Sequence, residues 1–88
     1  MKTTELETTV KALNDEFRIS KSKVSDHDLL VMWGMYELAR IDQRMCGKYT
    51  IRCHRHQMNK DKQKKLANAV IEYSMTRPEE RGQLDGTK

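Results

Sequence analysis

The sequence has one proline, two cysteines and no apolar run of membrane-spanning length. Its longest apolar stretch, Leu29-Leu30-Val31-Met32-Trp33-Gly34-Met35-Tyr36, falls far short of the roughly 18 to 20 residues that cross a bilayer, so no membrane partner is expected. Cys46 and Cys53 could close only one short loop, which excludes a disulfide framework, and a reducing compartment would keep both as thiols. The opening residues Met1-Lys2-Thr3-Thr4-Glu5-Leu6-Glu7 lack the apolar core of a secretory signal and carry acids that a transit peptide avoids; a cytoplasmic location is expected. The chain contains no P-loop, no GxGxxG and no HExxH, so neither an enzyme nor a bound cofactor is expected.

A chain of 88 residues supports one modest core. Charged residues, 34% of the total, nearly equal the 36% that are hydrophobic, which fits a small core with soluble ends. Leu6, Val10, Leu13 and Phe17 recur at helical spacing and predict a first helix from about Thr4 to Arg18, capped by Thr3 or Thr4. Ser25 or Asp26 can cap a second, running through Leu29, Leu30, Met32, Trp33, Tyr36, Leu38, Ile41 and Met45 to Gly47 at its C-cap. Lys48 to His56 alternates in part, which suits a short extended segment, with a continued helix as the alternative over so few residues. Asn59 can cap a third helix, from about Lys60 to Met75 with Leu66, Ala69, Val70 and Tyr73 inward, and Pro78 stops it. The expected fold is mainly α: a three-helix domain over 1–76 with an extended segment at 48–56, followed by a flexible tail at 77–88.

The second helix, apolar around most of its circumference, is expected either to sit at the centre of the core or to complete it by homodimerisation, with Leu29, Met32, Trp33 and Tyr36 as the dimer interface. Met58, alone in a polar segment, is the methionine that suggests a partner contact.

The net charge is +4, and its distribution is uneven. Between Arg40 and Lys65 stand nine cations against only Asp42 and Asp61, so the rest of the chain is net negative. Lysines at the start of a helix oppose its dipole and are not explained by helix stability. Concentrated positive potential attracts phosphates, and a tyrosine or histidine among the cations can stack on a base. The candidate nucleic-acid-binding residues are Arg44, Lys48, Tyr49, Arg52, His54, Arg55, Lys60, Lys64 and Lys65, with Tyr49 and His54 for stacking. A solvated basic face is the plain alternative, and an acidic protein surface would suit the same charge.

Cys46, Cys53, His54 and His56 lie close together, but the C-x6-C-H-x-H spacing offers only Cys53 to His56 as a conventional zinc interval, so no metal site is expected. His54 and His56 as an acid and base pair lack a third orienting residue and a cleft in a chain this short. In overall character, short and charged with a compact middle and a loose end, the chain resembles the accessory and counter-defence proteins of virulent phages; that resemblance implies binding to a host factor and assigns no residues. The expected function is therefore non-enzymatic binding of nucleic acid, RNA favoured. The alternative is an inhibitor or adaptor that engages a host protein through the basic face or the second helix.

Overall fold

The computed structural model describes residues 1–24, 27–52 and 59–82. The stretch expected to form the second helix is a β-hairpin. Asp28–Trp33 and Tyr36–Asp42 are strands β2 and β3, paired antiparallel with Leu29 opposite Ile41 and Val31 opposite Ala39. Alternation explains the difference: Leu29 and Val31 are buried, while Leu30 and Met32, one position along, face the other way and are half-buried. Both faces of β2 carry apolar residues, so the period of two is hidden in what reads as an all-round apolar helix. A bulge between Val31 and Met32 further blurs the pattern. Gly34 makes the reversal possible. Its φ of +62°, with no positive φ at Met35, is the geometry of a type II′ turn with glycine first, the tight connection that matches strand twist.

The order along the chain is helix α1 (Thr3–Leu13), strand β1 (Phe17–Lys21), β2, β3, strand β4 (Tyr49–Ile51), helix α2 (Lys60–Ser74) and a 3-10 turn at Pro78–Glu80. The four strands form one antiparallel sheet in the order β1-β2-β3-β4. The fold is thus mixed α/β and not the mainly α, three-helix arrangement expected. Phe17, which continues the helical spacing of Leu13, instead opens β1 after a turn in which Asn14 Oδ1 accepts the Glu16 N–H. The extended segment expected at 48–56 is realised as β4 over 49–51; residues 53–58 lie outside the described residues. Gly47, expected as a helix C-cap, sits in the β3–β4 loop and donates its N–H to the Ser74 carbonyl at 2.9 Å.

The two helices share one core. Leu6 and Val10 from α1 and Leu66, Ala69, Val70 and Tyr73 from α2 pack with Phe17, Ile19, Leu29, Val31, Leu38, Ala39 and Ile41 from the sheet. Helix α1 lies against β1 and α2, and α2 lies against β3 and β4. Asn59 caps α2 as its sequence predicts, its Oδ1 accepting the Lys62 N–H at 2.8 Å. The α1 cap differs from expectation: Lys2 is the N-cap residue, and Glu5 reaches back to accept its N–H at 2.8 Å.

Residues 78–82 fall in the expected tail. They hold the 3-10 turn and Arg81, which is 1% exposed. Residues 83–88 lie outside the described residues. The Arg81 guanidinium donates to the carbonyls of Thr76, Asp42, Met45 and Ser74 and to Gln43 Oε1, at 2.9 to 3.0 Å, and lies 4.9 Å from the Tyr73 ring centre. All five of its N–H groups are used, so burial leaves no donor unsatisfied.

Candidate nucleic-acid interface

The direction of each element decides which basic residues can act together. Strand β4 runs antiparallel to β3, Tyr49 opposite Ile41 and Ile51 opposite Ala39, so Arg52 emerges beside the start of β3 and donates its N–H to the Leu38 carbonyl. Helix α2 then runs back along the sheet for about 22 Å, at 1.5 Å per residue over its 15 residues. It ends where the Ser74 carbonyl meets Gly47 in the β3–β4 loop. Its first turn therefore lies at the end of the molecule that carries Arg52 and the β2–β3 turn. Arg44 and Lys48, in the β3–β4 loop, lie at the opposite end. The stretch that reads as one basic patch in sequence is divided between two ends of the fold.

Ion pairs divide it further. At the loop end, Arg44 Nε and Lys48 Nζ stand 3.7 and 3.8 Å from the Asp42 carboxylate, which is buried. The Arg44 N–H donated to Asp42 Oδ1 at 2.8 Å, more than the charges of Arg44, Lys48 and His27, holds that carboxyl below its usual range against the opposing cost of burial. On the sheet face away from the helices, Arg40 grips Glu37 through Nε at 3.2 Å and Nη2 at 2.9 Å and reaches Asp28 with Nη1 at 3.0 Å. These hydrogen bonds lower the Glu37 carboxyl and raise Arg40. Arg52 Nη1 adds a longer contact to Glu37 at 4.0 Å. These cations are balanced by local carboxylates.

The start of α2 is different. Lys65 pairs with Asp61 at 3.1 Å, both largely in solvent, where such a pair contributes little. Lys60, Lys62 and Lys64 have no carboxylate within 4.0 Å among the described residues. Lys60 and Lys64 are exposed and one turn apart, on the helix flank opposite the core residues Leu66, Ala69 and Tyr73. Tyr49 is 37% exposed on the edge strand, one residue from Lys48. His54 and Arg55 lie outside the described residues, as do Cys53, His56 and Met58; the zinc reading and the Met58 contact fall there too.

The four residues expected at a dimer interface do not form one surface. Leu29 is 1% exposed and points into the core, whereas Met32 faces the open side of the sheet. Trp33 packs edge-to-face on Phe17, with ring centres 5.4 Å apart, and Tyr36 is 44% exposed at the turn. The helical surface that would have joined them is replaced by the hairpin. Arg18, which the sequence reading leaves in a helix, is brought by β1 to the same end as Lys60 and donates Nη2 to the Gly34 carbonyl at 3.2 Å. The alternation of Phe17, Arg18 and Ile19 was the signal that could have placed it outward.

Among the described residues no helix is long and apolar enough to cross a membrane, and no three His, Cys, Asp or Glu side chains gather to hold a metal ion. Comparison of the chain with protein-family models, with curated proteins and with solved structures finds no match.

Proposed function

We propose that this protein binds nucleic acid, with RNA the favoured ligand, through the lysines that open α2, assisted by Arg52 at the same end of the molecule. The observation that carries this reading is the contrast among the cations. Arg40, Arg44, Lys48, Arg52 and Lys65 each have a carboxylate within 4.0 Å, whereas Lys60, Lys62 and Lys64 have none among the described residues. They stand where the helix dipole already makes the potential positive, a placement that costs stability and that a polyanion would offset. Phosphate binding there releases counterions, which supplies affinity without a sequence-reading motif. The activity is binding, not catalysis. The inhibitor reading loses its second-helix surface, because that segment is the hairpin and Leu29 is interior.

The test is the ratio of absorbance at 260 and 280 nm of protein freshly purified at low salt, repeated after RNase, after DNase and after a high-salt wash. A raised ratio that RNase and salt both remove is expected. A protein spectrum unchanged by all three treatments overturns the reading.

A further inference from the structure

Strand β1 ends the sheet, pairing with β2 alone, and its outer edge carries unused backbone groups. In an antiparallel ladder, residues bonded to one neighbour alternate with residues whose N–H and C=O face the other way. Ser22 donates its N–H to the Asp28 carbonyl at 3.0 Å, and the β1–β2 register runs unbroken from there, so Ser20 and Arg18 are the residues bonded to β2. Phe17, Ile19 and Lys21 therefore turn their backbone groups outward. The Phe17 N–H is taken by the Asn14 carbonyl at 3.0 Å, and the Lys21 carbonyl accepts from Ser20 Oγ at 3.2 Å. That leaves the N–H groups of Ile19 and Lys21 and the carbonyls of Phe17 and Ile19 without a protein partner among the described residues. Such an edge is a template for another strand. Charge is ordered along it. Asp15 and Glu16 precede the strand, Lys21 ends it and Lys23 follows; all four are exposed, and none has an opposite charge within 4.0 Å among the described residues.

We infer that β1 pairs with β1 of a second copy of this chain, antiparallel about a two-fold axis at Ile19, joining two four-stranded sheets into one. Charge complementarity selects this occupant. A strand that is acidic before its start and basic at its end matches itself only when two copies run antiparallel; a parallel copy sets like charge beside like. The register follows from the free groups. Centring on Ile19 lets the two Ile19 residues exchange both backbone bonds and lets each Lys21 N–H reach the Phe17 carbonyl of the other copy, which uses all four open groups on each edge. It sets Arg18 opposite Ser20 and brings Lys23 toward Asp15 of the other copy, so no like charges stand directly opposed. Centring on Arg18 or Lys21 would oppose two cations, and centring on Phe17 would need an N–H already given to Asn14. Directly paired residues point to the same side of a sheet, and Ile19 faces the helices, so both α1 helices fall on one face of the joined sheet. This pairing requires no nucleic acid.

The experiment follows the mass of the full chain, freed of nucleic acid by a high-salt wash, by sedimentation equilibrium from about 10 to about 500 μM, a range suited to an interface as small as one short strand edge. The mass is expected to rise from 10.4 kDa toward twice that value. Amide hydrogen exchange read by NMR should slow at Ile19 and Lys21 over the same range. Two variants test the charge order. Asp15→Lys with Glu16→Gln, which keeps an acceptor for the Trp33 indole, makes both ends of the edge basic, and Lys21→Glu with Lys23→Glu makes both acidic. Each alone should dimerise at least about tenfold more weakly, and an equimolar mixture of the two should regain the dimer mass, which also shows that both are folded. A monomer mass across the whole series overturns the inference. So does a dimer that neither variant weakens, a mixture that stays monomeric, or a dimer in which exchange at Ile19 and Lys21 is unchanged.

Discussion

Arg81 shows how one buried charge can be held without a carboxylate. Its guanidinium joins the 3-10 turn to the β3–β4 loop and the end of α2, and Thr3 closes the same network, its N–H on the Arg81 carbonyl and its Oγ1 2.7 Å from Tyr73 Oη. Tyr73 Oη in turn donates to Gln43 Oε1 at 2.9 Å. Arg81→Met removes the guanidinium's hydrogen bonds to four carbonyls at once, so it should cost about 3 to 5 kcal/mol in urea denaturation, the range for breaking a buried charged network. Tyr73→Phe removes a single hydroxyl and should cost about 1 to 2 kcal/mol in the same measurement. Asp42 and Glu37 set the acid response. Both carboxyls are held below their ordinary values, so the stability they contribute is present above about pH 4 and is lost as pH falls through the lowered values. Asp42→Asn should flatten the acid side of the stability profile and leave the slope above pH 6 unchanged; an acid limb as steep as that of the unaltered protein would show that the Arg44 and Lys48 contacts do not couple to folding.

Elements were legible in sequence where one periodicity stood alone. Helix α2 reads clearly because Leu66, Ala69, Val70 and Tyr73 mark a single stripe and Asn59 a single cap, and the structure places the helix at Lys60–Ser74. The first helix reads correctly through Leu13 but overruns, because Phe17 happens to continue its spacing while belonging to a strand. The hairpin was hidden for the opposite reason: Leu30 and Met32 put apolar side chains on the outer face of β2, so neither period dominates. Gly34 was the available clue, since glycine within a helix costs about 1 kcal/mol relative to alanine whereas at positive φ it is the natural residue. Gly34→Val should therefore destabilise the protein by about 1 to 2 kcal/mol. In contrast, Met35→Ala at the adjacent position should be neutral within about 0.5 kcal/mol in thermal unfolding, as expected for an exposed turn residue.

At the scale of the whole molecule, charge was legible as composition but not as a surface. The count of cations between Arg40 and Lys65 is a property of the sequence; their division into paired groups on the sheet and loop and, at the start of α2, Lys60, Lys62 and Lys64 with no carboxylate within 4.0 Å among the described residues follows from strand direction, which no local pattern encodes. The same topology puts Arg18, the β2–β3 turn and the start of α2 toward one end of a molecule 34 Å in its longest dimension, with Arg18 on the sheet face away from the helices. The proposed binding surface thereby lies at one end, while the Arg81 network secures the other.

The most direct measurement is the affinity for single-stranded RNA as a function of salt, for the unaltered chain and for Lys60→Glu with Lys64→Glu. Neutralising three phosphates with Lys60, Lys62 and Lys64 predicts a slope of log K against log salt of about −2, a loss of roughly 15- to 20-fold between 50 and 200 mM salt. The doubly reversed variant should bind too weakly to measure while unfolding at nearly the same temperature. A salt-independent affinity, or equal binding by the variant, would contradict the assignment of the interface to the start of α2.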